Sequence, residues 1–368
     1  MKKKVISIVL TLAVLLALAV ACGSRTEDLS AHKVGVLYYS FDDAFLTEVR
    51  INLNDELTSL RIPYENYDAH NDQAAQNRQL RKALEGGADL LLVNLVSNGD
   101  VAAAETVVKL AGNTPVVFFN RSVEQPDAAD SIFDRHGSIA YVGTQVGKAG
   151  HMQGELIGRY LLEHYAETDR NGDGYISYAM LKGSEQSPEC VFRCLYSVED
   201  AHAMIHEKGF AGLQYFDDAN PDGCQADLNN AWSENAAREI MADNLARFGD
   251  GSGNMIELVI ANNDAMAVGA VTALQGAGYN LGDPAKTIPV FGIDATDVAQ
   301  ALIRDGLMTG TVRQSTKAMA GALGQVAHGL LTGKNPVQAV AAAVKTDPLF
   351  SAETGHSNKL IIAYSSYP

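Results

Sequence analysis

Basic residues are scarce in this sequence. Its 28 lysines and arginines face 44 aspartates and glutamates, a formal charge of −16 over 368 residues. Such a chain repels phosphate backbones, which makes nucleic acid a poor partner. No HExxH or GxSxG occurs, and GTQVGKAG at residues 143–150 misses the phosphate-loop spacing and has Ala149 in place of Ser or Thr. The nine histidines are scattered. Zinc hydrolysis, serine-nucleophile chemistry and nucleotide hydrolysis therefore have no basis in the sequence. Cysteine is sparse as well, at four residues, and Trp232 is the single tryptophan. Cys190, Cys194 and Cys224 lack the spacing of a zinc site. Any one disulfide leaves one of the three unpaired, and the spacing leaves every pairing open.

What is present begins with a targeting pattern. MKKK followed by VISIVLTLAVLLALAVAC is a basic segment and an apolar segment that ends in small residues at a cysteine. Residues 1–21 are expected to be a removable lipoprotein signal, Cys22 to carry lipid that ties the chain to a membrane, and residues 22–33 to form a tether. Removing residues 1–21 takes away Lys2, Lys3 and Lys4 and no acid. That leaves 25 basic residues against 44 acidic, a charge of −19. Outside the cytoplasm a disulfide is allowed.

From residue 34 onward, strand-like apolar runs alternate with segments of helical period. KVGVLYY precedes FLTEVRINLNDEL, ADLLLVNLV precedes DVAAAETVVKLAG, and SIAYVG precedes GKAGHMQGELIGRYLLEHY; later come YISYAMLKG, LQYF, IELVIANN, TIPVFGID and KLIIAY. Buried β-branched runs separated by amphipathic helices predict parallel sheets covered on both faces. The units are too many for one modest sheet, so two doubly wound α/β lobes are expected. Several runs close on a polar side chain: Asp43, Asn120, Asn263 and Asp294. Asx residues there commonly cap the next helix. Together, at strand ends where open α/β sheets bind ligands, they point to a neutral polar ligand. Trp232 falls in NNAWSENAAREIM, which has helical period, and is there a candidate core residue.

Residues 168–177, TDRNGDGYIS, place Asp169, Asn171, Asp173 and Gly174 on the ligand and turn positions of an EF-hand loop. The bidentate Glu due at position ~12 of such a loop is missing, because Met180 stands there inside an apolar run.

VGVLYYSFDDAF, TPVVFFN, DRNGDGYI, ELVIANNDAMAVGAV, IPVFGIDA and GTV occur in the order found in periplasmic galactose/glucose-binding proteins, the receptors of sugar ABC importers, and the likeness spans residues 34 to 364. This resemblance implies a type I periplasmic binding protein fold with two parallel-sheet lobes joined by a three-strand hinge. It puts residues 34–134 and 315–362 in one lobe and 137–313 and 363–368 in the other, with crossings near Asp134–Ser138, Gln314–Thr316 and Ile362–Ser366. It also supplies the missing carboxylate. A structural Ca2+ would be held by Asp169, Asn171, Asp173, the Tyr175 carbonyl, Ser177 (where the family has Gln) and Glu257.

For the ligand, the resemblance implies that Phe45 and Trp232 sandwich a pyranose ring. Asp43, Asn120, Arg193, Asn263 and Asp294 would bond its hydroxyls. Ser187, Glu189 and Gln314 replace the His, Asp and Asn of the family at three more such positions. The implied ligand is D-glucose or D-galactose, and the implied partners are an ABC permease with its ATPase. A second reading keeps the fold but binds another monosaccharide and docks onto a chemoreceptor. Catalysis on carbohydrate by Glu189 and Asp294 is the weakest reading, and the chain is expected not to be an enzyme.

Overall fold

The computed structural model describes residues 28–126, 130–185, 187–249 and 252–367. The signal segment and the lipid attachment expected at Cys22 lie outside them. In chain order, β1 (Val34–Tyr38), β2 (Tyr64–Asp68), β3 (Leu90–Val93), β4 (Val116–Asn120) and β5 (Ile139–Gly143) come first. Then follow β6 (Ile176–Lys182), β7 (Leu213–Tyr215), β8 (Gln225–Ala226), β9 (Leu258–Ala261), β10 (Val290–Asp294) and β11 (Gly310–Arg313). The last are β12 (Phe350–Glu353), β13 (His356–Ile362) and β14 (Ser365–Tyr367). They build two sheets, ordered β12-β13-β5-β4-β3-β1-β2 and β14-β11-β10-β9-β6-β7, with β8 beside β6. All neighbours are parallel except β12 with β13 and β11 with β14.

The apolar runs explain the layering. Every residue of β1 is buried, and its side chains divide by parity. Val34, Val36 and Tyr38 enter a core shared with the helices at 44–59 and 316–331, whereas Leu37 enters the core on the other face, shared with the helices at 73–85 and 101–111. In the second sheet Ala179 and Leu181 pack on one face and Ile176, Tyr178 and Met180 on the other. Both sheets are thus covered on both faces, which gives two doubly wound lobes.

The chain crosses between lobes three times, and one crossing is displaced from its expected place. β5 pairs with β4 along its whole length and with β13. It therefore belongs to the first lobe, and the first crossing falls after Gly143, not at 134–138. SIAYVG reads locally as a strand in either lobe; only the free edge of β4 decides which sheet takes it. The other crossings lie between β11 and the helix Thr316–Leu331, and between β13 and β14. The described residues of the second lobe thus run over 148–313 and 365–367.

The second lobe's two long helices, Lys148–Thr168 and Pro188–Glu207, pack closely because small residues face the contact. A Cβ on Gly154 would come within 2.7 Å of the Tyr196 carbonyl oxygen. That close approach fixes the helix whose first turns carry Glu189 and Arg193.

Candidate functional site

The carboxyl ends of the strands face each other across the gap between the lobes. Asp43 caps the helix Ala44–Ser59: its Oδ1 accepts from the Leu46 N–H at 2.8 Å, and its Oδ2 accepts from the Tyr39 hydroxyl at 2.6 Å. Asn263 caps the helix Asp264–Gly276, accepting from the Met266 N–H at 2.9 Å, while its amide donates to the Trp232 carbonyl at 3.3 Å. Capping and facing the cleft are therefore compatible, since each Asp43 oxygen keeps a second lone pair and the Asn263 amide a second N–H. Asn120 and Asp294 cap nothing. They end β4 and β10 at φ +63° and +129°, in the region disfavoured for side chains bearing a Cβ. Trp232 (φ +57°) and Ala295 (φ +58°) share that strain. Each such residue costs about 1–3 kcal/mol and persists only where the surroundings over-determine it.

One cavity gathers Asp43, Phe45 and Asn120 from the first lobe with Glu189, Arg193, Trp232, Asn263 and Asp294 from the second, and Gln314 at a crossing. Phe45 and Trp232 thus reach the same cavity from opposite lobes. Trp232 is not on a helix, as its segment suggested; the helix begins at Glu234, capped by Ser233. The indole lies on Gly183, where a Cβ would sit 2.2 Å from its ring. The Arg193 guanidinium stands 5.5 Å from the indole ring, with one nitrogen donating to the Asn262 carbonyl at 2.7 Å.

One expected ligand lies outside this cavity, and another lines it while also bonding across it. Ser187 does not line this cavity; it caps the helix Pro188–Glu207 and donates to Glu189 at 2.9 Å. Glu189 reaches across the gap. Its Oε1 accepts from the Ser122 N–H at 2.7 Å, and its Oε2 accepts from the Asn98 amide at 2.8 Å. These two bonds make Glu189 a clasp between lobes. Gln314 likewise donates to Asn120 at 2.9 Å.

Sequence reasoning missed Asn98, Arg121 and Thr144, which line the cavity, and Tyr364. Thr144 follows β5 directly, so the strand-end rule would have found it. Tyr364 had no such signal. Its hydroxyl shares a hydrogen bond with Thr144 at 2.7 Å, donates to Gln314 at 3.4 Å and accepts from Arg193 at 3.4 Å. One phenol therefore ties all three crossings to the cleft.

The electrostatics of the cleft are unbalanced. Burial above all, with Asp264 nearby, pushes the Asp294 carboxyl well above its usual range, and Arg193 only partly opposes this. The Trp232 Nε1 and Asn98 Oδ1 are buried without a hydrogen-bond partner among the described residues. Buried polar groups are normally paired, so these atoms mark where a polar ligand would complete the set. The cavity holds only ≈ 40 Å³, far below the ~300 Å³ of a small ligand pocket. Glu189 and Gln314 clasp the lobes together across it, so admitting a ligand of that size requires them to part.

A periplasmic binding protein domain matches residues 34–335. The chain belongs to the periplasmic binding protein family. It is 32% identical over 328 residues to the D-galactose/methyl-galactoside binding periplasmic protein MglB of Haemophilus influenzae, covering 88% of each chain. It is 26% identical to a putative rhizopine-binding protein of Rhizobium meliloti, over 77% of this chain and 79% of that one. Among solved structures, an ABC transporter solute binding protein of Bacillus halodurans with bound myo-inositol superposes with a TM-score of 0.65 at 22% identity, covering 93% and 96% of the two chains. One of Clostridium phytofermentans with bound β-D-glucose gives 0.66 at 17%, covering 91% and 94%. At those identities the structures establish the fold alone, the type I periplasmic binding protein fold. This family member is a binding protein, not an enzyme.

The loop expected to hold Ca2+ folds on itself. Asp169 accepts from the N–H groups of Gly172 at 2.8 Å and Gly174 at 3.0 Å, Asn171 from that of Asp173 at 2.9 Å, and Asp173 from that of Tyr175 at 2.8 Å. Glu257, fully buried, accepts from Arg170 at 2.6 Å and Asn171 at 3.1 Å on one oxygen, and from the Ser177 N–H at 2.9 Å on the other. Glu257 thus closes the loop from a distant segment. The oxygen-only donor set suits a hard cation, so the residues fit Ca2+ in kind. Among the described residues, however, no three acids, histidines or cysteines gather within metal-ligand reach; here the carboxylates are held by backbone N–H groups.

Proposed function

We infer that this chain is the sugar-binding periplasmic component of an ABC importer and that its ligand is an aldohexose, D-glucose or D-galactose, held between the two lobes. The observation that carries this reading is the set of buried, unpartnered polar groups in a cleft with an aromatic side chain from each lobe. A pyranose presents apolar ring faces and a rim of hydroxyls, so Phe45 and Trp232 suit its faces while Asp43, Asn120, Arg193, Asn263 and Asp294 suit its rim. The carboxylates accept strongly and the guanidinium donates in a fixed fork. The similarity to a galactoside-binding relative supports the hexose. Relatives with bound myo-inositol and β-D-glucose support a polyhydroxylated ring more broadly. Binding would close the lobes about the crossings tied by Tyr364, and the closed form would be the one recognised by the permease.

Two further parts belong to this proposal. Lipid at Cys22 would hold the chain at a membrane. Asp169, Asn171, Asp173, Tyr175, Ser177 and Glu257 would hold Ca2+, whose charge would relieve the repulsion among three acids.

Because Trp232 is the single tryptophan, its fluorescence reports the cleft directly. Titration with glucose, galactose, xylose, ribose and myo-inositol, with and without chelator, tests the reading. A saturable response to a hexose supports it. Silence with both hexoses beside a response to inositol or a pentose moves the assignment to that ligand. An unchanged melting temperature after chelation removes the calcium claim.

A further inference from the structure

The three cysteines that the spacing could not pair are separated by the fold. Cys190 is fully buried at the start of the helix Pro188–Glu207, whereas Cys194, one turn on, and Cys224, just before β8, are only half-buried. The thiols of Cys194 and Cys224 are near enough for each to shift the other's acidity. Both pack against the core face that includes Tyr178 and Met180 of β6.

The backbone sets this meeting. β8 pairs with β6 at Gln225–Leu181 and Ala226–Lys182, which brings Cys224 onto the edge of that strand. The Asn220 amide holds the Cys224 carbonyl at 3.0 Å, and the Asn262 amide donates to the Cys194 sulfur at 3.3 Å.

We propose that Cys194 and Cys224 form a dithiol that closes to a disulfide in the periplasm, with Cys190 remaining the unpaired thiol. The periplasm is oxidising, and the co-reactant is a protein disulfide of an oxidising catalyst. The Cys224 thiolate attacks one sulfur of that disulfide, forming a mixed disulfide and releasing the catalyst's first thiolate. Cys194 then loses its proton and attacks the Cys224 sulfur, expelling the second thiolate. Two electrons and two protons pass from the two thiols to the catalyst.

The order of attack follows from the surroundings. The neighbouring Cys194 thiol lowers the Cys224 thiol to about 7 against the cost of burial, with help from the Lys182 ammonium. Burial pushes Cys190 up to about 12, which leaves it inert. The bridge would join the helix that carries Glu189 and Arg193 to the segment that leads to Trp232. Neither sulfur lines the cleft, so the proposal stands independently of which sugar binds.

The test is thiol mapping of the full chain. The protein is exposed to oxidised glutathione, denatured, alkylated and digested for mass spectrometry. The expected result is a linked peptide pair containing Cys194 and Cys224, two hydrogens lighter than the reduced pair, with Cys190 alkylated. Recovery of Cys194 and Cys224 both alkylated, or a bridge that includes Cys190, overturns the proposal. As an independent readout, reductant lowers the melting temperature of the oxidised chain by about 5 °C, while Cys194→Ser and Cys224→Ser show no response to reductant. An equal response in either variant overturns it as well.

Discussion

Two buried carboxylates of the second lobe have opposite surroundings. Glu257 is fully buried, yet three backbone N–H groups satisfy its two oxygens. Asp294, 7% exposed, accepts no side-chain hydrogen bond among the described residues, sits near Asp264, and has Arg193 as its favourable neighbour. A carboxylate whose acceptors are filled by its own chain holds the fold together. One that is buried, strained and unfilled stores free energy that a ligand can recover. The first belongs to architecture and the second, on the proposed reading, to binding, although the sequence shows both as single acids beside strands.

The sharpest way to break this contrast is to remove each charge in turn. Asp294→Asn should weaken hexose binding roughly 100-fold, the loss of one or two charge-assisted bonds, and leave the melting temperature unchanged or higher. Calorimetric titration and a thermal melt check both halves, and a lower melting temperature with intact affinity would reverse the assignment. Glu257→Gln should do the converse. It sets an amide against three N–H donors, at a cost on the order of 3 kcal/mol, so the melting temperature should drop by several degrees while hexose affinity moves little.

A smaller effect sharpens the comparison at the hinge. Tyr364→Phe removes the hydroxyl shared among Thr144, Gln314 and Arg193 and should weaken hexose binding roughly tenfold at most. Small-angle scattering of the sugar-loaded variant should show a more open average shape than the native chain at equal occupancy. The same shape in both would leave Tyr364 with packing alone.

The smallest effect is on pH dependence. Burial raises Asp264 from 3.8 to about 6, against the Thr296 and Thr311 hydrogen bonds that lower it. The folded chain therefore holds this proton more tightly than the unfolded chain. The associated stability is present below about pH 4 and is lost as pH rises through about 6. Asp264→Asn should flatten the dependence of the melting temperature on pH across that window. An undiminished slope would assign it to other acids.

Much of the fold was legible because it is written locally. β-branched runs such as VVFF and LVIA alternate with amphipathic helices, and that alternation alone requires a covered parallel sheet. Asp43, Asn120, Asn263 and Asp294 were found because strand ends in such sheets face the ligand crevice. The clasp of Glu189 on Asn98 and Ser122 was not legible, because 91 and 67 residues separate the partners. The lobe of β5 was not legible either.

The sequence by itself determined the element types, the doubly wound class and the strand-end polar residues, because helical and strand periods depend on neighbours a few residues away. Tertiary structure decided which sheet received β5, that Tyr364 would tie three crossings together, and that Cys194 and Cys224 would pack on one core face while Cys190 is buried. Those outcomes depend on which edges and faces remain free once the layers have packed, and no local period carries that information.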